Sequence, residues 1–463
     1  MTRFPVKQSF IEQPGIEQPG KLGRRAALLL LPAGLTASLA GCSFLDNAFS
    51  TNKPTLPGER LAVLAANRGL GVDNLTGRRI ELPAAAVNPS WPQAGGDVSH
   101  AMGHPAASGT LAEAWTADLG QGASYREKLT AHPVVADGRV FTMDSDAVVS
   151  AFDARSGSQL WQSETRAKHN RSTNVGGGVA LDGGTLYVAT GRGEALAYDA
   201  ATGKQRWRGS VGSAARAAPT VADGRLYIPT IDDQMVALAT TDGRRLWAYQ
   251  ATVADTSLLG LPSPAYADGL LVAGFGSGEL VCLRASGGSV AWADSLAATR
   301  GRNSLIDLSA IHGMPVIEGG QVFATGLGGL TLALDLRTGR RLWERDIGSA
   351  ETPWLAGDWL FLLSLDNQLV ALNRTDGGLA WTKPLPRFKN VEKQTGPIRW
   401  VGPTLAGDRL VLASSEGVAV SASPYTGKLL GQQKLSGPAS VAPVVAGGAV
   451  YLVTDDAKLL ALR

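Results

Sequence analysis

Short apolar–polar alternations, each bounded by glycine-rich turns, recur from about residue 130 to the end of the chain, as in Arg139-Val-Phe-Thr-Met143 followed by Val148-Val-Ser-Ala-Phe152. A period of two over five or six residues predicts strands, and runs this short predict many of them. Between such runs a first kind of turn appears eight times. It stands at Asp137-Gly138, Gly183-Gly184, Asp223-Gly224, Asp268-Gly269, Gly319-Gly320, Gly357-Asp358, Gly407-Asp408 and Gly447-Gly448. Asp-Gly and Gly-Gly supply the positive φ that tight hairpins need.

A second signal keeps the same beat. Trp115, Trp161, Trp207, Trp247, Trp292, Trp343 and Trp381 follow one another at 38 to 51 residues, and each after the first has glycine four positions earlier. Asp or Asn often stands four before that glycine, giving Asp-x-x-x-Gly-x-x-x-Trp, clearest in Asp199 to Trp207. The next unit keeps Gly427 but has Gly431 where the ring would be. Four short strands per unit of roughly 40–50 residues is the pattern of a propeller blade. The ring is expected near the outermost strand, filling the wide end between blades, with the glycine turning the chain between the third and fourth strands.

The two ends fix the number of blades. The chain stops after a third strand at Leu459-Leu460-Ala461, and Trp115 has Leu111 rather than a turn glycine before it. An orphan fourth strand near Trp115 should therefore complete the last blade, which also removes the open sheet edges. The predicted fold is all-β: an eight-bladed propeller of four-stranded antiparallel blades over 82–463.

The segment before the repeats reads as an address. Lys21-Leu-Gly-Arg-Arg25 precedes an apolar stretch from Ala26 to Ala40 and then Gly41-Cys42. That stretch is too short for a membrane span of about 20 residues. Leu39-Ala40-Gly41-Cys42 matches a lipobox, so 1–41 is expected to be a signal peptide with an N-terminal extension. Cys42 is expected to carry fatty acyl chains such as palmitate, and Ser43 after it favours the outer membrane. Residues 42–81, rich in Pro, Gly, Asn and Thr, read as tether, with a short helix expected around 59–67.

Composition narrows the function. Five basic and two acidic residues precede Cys42, which leaves 38 of each sign beyond it. A neutral mature chain has no global field to collect phosphate backbones, so nucleic acid is excluded as a partner. With two cysteines no disulfide framework forms, and Cys282 within Leu280-Val-Cys-Leu283 reads as a buried apolar residue. His100 and His104 have a spacing that a zinc site could use on a helix, but the glycines around them predict a solvated loop and no metal.

The Asp-x-x-Thr-Gly-x-x-x-Trp repeat resembles that of quinoprotein-like propellers. With the lipobox, Lys53-Pro-Thr-Leu-Pro-Gly-Glu-Arg60 and Trp91-Pro-Gln-Ala-Gly-Gly-Asp97, the chain from about Lys21 to Arg463 resembles the BamB family. The resemblance implies a non-catalytic, cofactor-free lipoprotein on the periplasmic face of the outer membrane. It implies a place in the multiprotein BAM complex, contact with the barrel-inserting BamA-type subunit, and nascent outer-membrane proteins as clients. Family contacts on middle-blade loops map onto 257–262 and 306–312, where Leu258, Leu259 and Asp307 are the candidate partner-binding residues. Leu258 matches an apolar contact position. Leu259, Ala310 and His312 depart from the charged residues expected there. Segments 248–262, 293–314 and 382–402 are the long links between blades and should share one face. Two alternatives stand beside this reading. One is a quinone-dependent dehydrogenase, which resembles longer chains with adjacent cysteines and calcium ligands. The other is an envelope lipoprotein that binds a different protein or a polysaccharide.

Overall fold

The computed structural model describes residues 70–73, 78–125, 127–167, 172–254, 260–297 and 309–463, and among these every regular element is a β-strand. The signal segment, Cys42, the stretch expected to hold a short helix at 59–67, Leu258, Leu259 and Asp307 lie outside the described residues.

Eight four-stranded antiparallel sheets follow the predicted units. The first contains Val134–Ala136, Arg139–Met143, Val148–Asp153 and Gln159–Glu164, hydrogen-bonded in chain order. Six more repeat this order. The eighth takes three strands from the C-terminal end, Val444–Ala446, Ala449–Thr454 and Lys458–Leu462, and its fourth from Glu113–Asp118. Trp115 pairs there with Ala461, so the ring closes where the repeats required it to. All eight predicted first turns join a blade's first and second strands. Six of them hold both central residues at positive φ, whereas at Gly357-Asp358 and Gly407-Asp408 only the glycine does.

Burial explains the apolar pattern. In each blade the second and third strands are sandwiched between neighbouring blades, so both their faces are apolar, as in Arg139–Met143 and Val148–Asp153. The fourth strand is exposed on one face and alternates, as in Gln159–Glu164. The core is accordingly a ring of layers between blades: Phe141 and Val149 of the first meet Val188 and Leu196 of the second. Cys282 belongs to such a layer.

The repeat tryptophans lock one blade to the next. Each of the seven indole N–H groups donates to a backbone carbonyl in the following blade at 2.7 to 3.2 Å. Each ring lies over that blade's turn glycine, so closely that a Cβ there would sit 2.5 to 2.8 Å from it. The glycine thus does more than turn the chain: it makes room for the ring of the blade before. Six of the seven rings also meet an aromatic from their own blade's second strand, as Phe323 does Trp343 at 6.1 Å. The fourth blade has Val272 at that position and, among the described residues, no aromatic beside Trp292.

One junction differs. Between the seventh and eighth blades Gly431 replaces the ring, and Leu111, buried at φ +49°, replaces the receiving glycine. By the geometry of the other seven, a ring at 431 would lie over position 111. Leucine therefore fills from the opposite side the space that tryptophan fills elsewhere. Leu111→Gly alone should lose about 2–4 kcal/mol, the scale of emptying a buried leucine site. Adding Gly431→Trp should recover at least half of it, as read by urea unfolding of single and double variants. A double variant no more stable than Leu111→Gly would show that the two positions do not substitute for one another.

Part of the stretch read as tether is packed. Asp73 N–H donates to Leu379 O at 3.0 Å, and its carboxylate accepts from Leu379 N at 2.8 Å and Arg345 Nη2 at 2.6 Å.

Candidate functional site

In these blades the links from fourth strand to next first strand leave one face of the disc, together with the second-to-third turns. Three long links, now bounded as 251–264, 296–315 and 385–399, begin and end on that connector face. The link closing the ring, 119–133, is as long as the first and third, and it is hidden in the sequence because the closing blade is split between the chain's two ends. The third link builds a hairpin that its sequence did not announce, Phe388–Asn390 against Thr395–Pro397. Arg387 pairs with Asp366 at 3.2 Å and Lys389 with Glu416 at 2.7 Å, while Val391 at its tip is three-quarters exposed.

The opposite face is closed by the chain itself. Proline and positive-φ glycines such as Gly95 and Gly96 keep 88–108 from forming a strand. The segment instead offers backbone and side-chain groups to the inner strand or first turn of each blade in succession. Trp91 exchanges both backbone bonds with Val135 of the first blade, and Leu181 of the second donates to Pro92 O. Gln93 bonds both the N–H and the C=O of Val221 in the third. Tyr266 N donates to Val98 O, Ile317 N to Ser99 O, and Trp354 Nε1 to Gly103 O. Gly407 N donates to Pro105 O, and Ser108 N to Gly448 O in the eighth. The segment makes one circuit of the disc.

This corrects the expectation of a solvated loop around the two histidines. Both are buried: His100 Nδ1 faces Pro315 O at 2.7 Å, and His104 faces Pro83 O and Gly407 O at 2.6 and 2.9 Å. Their backbone partners across the disc explain the burial, and the spacing serves packing. Among the described residues no group of three or more His, Cys, Asp or Glu is placed to hold a metal.

Floored by that segment, the ring encloses a blind cavity of about 820 Å³, with Trp91, Ala94, Gly95 and His100 at its base and Lys128, Arg387 and Arg399 among its lining. This lies within the usual range for ligand sites. Trp91 stacks on Trp354, ring centroids 5.9 Å apart. Burial pushes the Glu351 carboxyl up, although it accepts from Gly402 N at 3.1 Å. Burial, with His100 and His312 nearby, pushes His132 down to about 4. A ring neutral when folded but protonated below about 6.5 when unfolded makes the unfolded chain bind more protons. Its contribution is therefore complete above pH 6.5 and is lost as pH falls toward 4. His132→Leu should flatten the loss of stability between pH 6.5 and 4.5, measured by urea unfolding at both; parallel losses in the variant and the original would refute it.

Over residues 105–173, 145–383 and 365–463 the chain matches the sequence profile of the family described as outer membrane protein assembly factor BamB. The chain belongs to the BamB family. The assembly factor BamB of Yersinia pestis is 29% identical over 340 residues, 72% of this chain and 84% of that protein. That of Escherichia coli K12 is 27% identical over 359 residues, 76% of this chain and 89% of its own. The crystal structure of BamB from Moraxella catarrhalis superposes with a TM-score of 0.63 at 20% identity, covering 74% of this chain and 99% of that one. Quinohemoprotein alcohol dehydrogenase from Comamonas testosteroni reaches 0.60 at 16% identity, covering 82% and 81%. At such identities these likenesses show the fold alone.

The donor set does not fit the quinone of the dehydrogenases. Cys282 has no cysteine beside it and lies in a layer between blades, its thiol pushed up to about 12 by burial. The cavity's acids, Glu351 and Asp455, each have Arg399 near enough to favour the carboxylate.

Proposed function

We propose that this chain is a non-catalytic scaffold of the outer-membrane β-barrel assembly machinery. The mature chain begins at an acylated Cys42, is held to the periplasmic face of the outer membrane through a tether within 42–81, and presents the propeller of 82–463. Its connector face receives the barrel-inserting subunit, with Leu258, Leu259 and Asp307 on the middle-blade links as contact residues, and nascent outer-membrane proteins are handled nearby. The observation that carries this reading is the family match across all the blades, from residue 105 to 463. The gathering of long links on one face supports it, because binding residues concentrate on loops held by a rigid scaffold.

Mild crosslinking in membranes followed by purification tests the reading. Recovery of the barrel-inserting subunit is expected, with Leu258→Asp lowering it at least fivefold. Recovery of a different envelope protein or a polysaccharide in its place would overturn the assignment. In the same preparation Cys42→Ala should move most of the protein from the membrane to the soluble fraction, since two or more acyl chains are what make anchoring stable. Unchanged membrane retention would count against the anchor.

A further inference from the structure

Four cations line the central cavity: Arg387 is in an ion pair with Asp366, while Lys128 and Arg399 share Asp455 at a longer range. Arg399 also reaches Ser440 and lies near Glu351. Arg216 is different. It sits in the link between the second and third blades, its backbone pinned by Pro229 O at 3.1 Å and by Leu261 N at 3.2 Å. One terminal nitrogen donates to Val175 O, and Nε is buried with no partner. Among the described residues no acid acts on the guanidinium even at the range at which Asp455 meets Lys128 and Arg399, and its other terminal nitrogen makes no bond. Burial lowers its proton affinity, the mark of a cation held without a counter-charge. Apart from the buried Nε the side chain is half-buried against the cavity, so an anion there would meet a cation that no protein acid already engages.

Its surroundings specify the rest of a ligand. Ala218, two residues on, packs against Ala94 of the floor and Met314. Leu261 continues to Ser263, whose hydroxyl bonds Ala218 O at 2.9 Å, and Gly260 lies beside His312 Nε2. His312 Nδ1 donates to Ala350 O at 2.8 Å. The lining opposite in character is aromatic: the Trp91–Trp354 stack and Trp400. A guanidinium together with an apolar lining to which these largely buried rings contribute their exposed margins suits a carboxylate head joined to an apolar body.

We propose that the blind central cavity is a binding site for an amphipathic carboxylate, whose head pairs with Arg216 and whose apolar body lies on Trp91, Trp354 and Trp400. The 38 charges of each sign beyond Cys42 provide no general attraction for anions, so the attraction is local to the cations of this cavity, among which Arg216 is the one without an acid near it. The carboxylate could belong to a free small molecule or to the end of a peptide, and the test separates the two. The cavity opens on the connector face, and Gly260, Leu261, Pro262 and His312 of the links read as partner contacts help to line it. Calorimetry uses this protein alone, so its outcome is independent of the crosslinking that tests the partner.

Titration calorimetry of the full mature protein at pH 7 would compare 3-phenylpropanoate with its amide, and acetyl-Gly-Leu with its C-terminal amide. In at least one pair the acid should bind tenfold or more tightly than the amide, and Arg216→Gln should abolish that preference while leaving amide binding unchanged. The pair that shows the preference identifies the source. Equal binding of acid and amide in both pairs, or a preference that survives Arg216→Gln, overturns the proposal. Photolabelling of the unaltered protein with 4-benzoylbenzoate keeps it testable if that variant fails to fold. Adducts are expected on peptides containing Trp91, Arg216 or Trp354 and should be suppressed by an excess of the preferred acid; adducts elsewhere overturn it.

Discussion

Trp292→Ala should lower stability by about 3–5 kcal/mol, near the top of the range for single truncations. Trp292 is 8% exposed, and its ring fills the junction between the fourth and fifth blades. Removing it empties the space over Gly339 and leaves Leu336 O without the indole donor 2.7 Å away. Trp292→Phe keeps most of the ring and removes only the donor, so it should cost nearer the roughly 1 kcal/mol typical of one hydrogen bond, plus a little packing. Approached from the other side, Gly339→Ala should also destabilise. Residue 339 sits at φ +70°, and a Cβ would lie 2.6 Å from the Trp292 ring. The left-handed backbone alone costs an L-residue about 1–2 kcal/mol. Combining Trp292→Ala with Gly339→Ala should cost less than the two losses added, because the new methyl then meets an empty space. Urea unfolding of the four proteins checks this. A Trp292→Ala loss below 1 kcal/mol, or strict additivity, would show that ring and glycine do not act as one lock.

That lock was half legible in the sequence. Strands, first turns and the closing strand at Trp115 are written locally, in period two, in Gly-Gly and Asp-Gly pairs, and in the mismatch of the chain's two ends. The Trp and Gly signals were equally plain, but spacing assigns Gly339 to Trp343 in the same turn, whereas it is Trp292 of the blade before that needs the room. Every repeat supplies both halves, so periodicity cannot tell which glycine serves which ring. The floor was illegible for another reason. Residues 88–108 have no apolar period, because their bonds run to a different blade every few residues, and so Gln93 and His100 looked like loop. Arg216 was equally hidden: an arginine in a link looks solvated until the ring closes around it.

Gln93→Leu should show how far that floor depends on its polar contacts, with an expected loss of about 2–5 kcal/mol. Gln93 is 5% exposed, its Oε1 accepting from Val221 N and its Nε2 donating to Val221 O, both at 2.9 Å. Its amide thus imitates a strand partner for the inner edge of the third blade, where no further strand exists. Leucine has a similar volume and is apolar, so shape and burial are nearly conserved. Two backbone groups nevertheless lose their partners in a place water cannot readily reach, at about 1–3 kcal/mol each. Gln93→Glu separates hydrogen bonding from packing still further. Its carboxylate could accept from Val221 N but would face Val221 O with no proton to donate, and protonation would restore the donor. The Glu variant should therefore lose less stability, relative to the original, at pH 5 than at pH 8. Hydrogen exchange supplies the local readout, with the Val221 amide losing protection in the Leu variant by a factor of at least one hundred. Retained protection there would mean that the third blade's inner edge finds its partner elsewhere and that the segment merely lies against the ring.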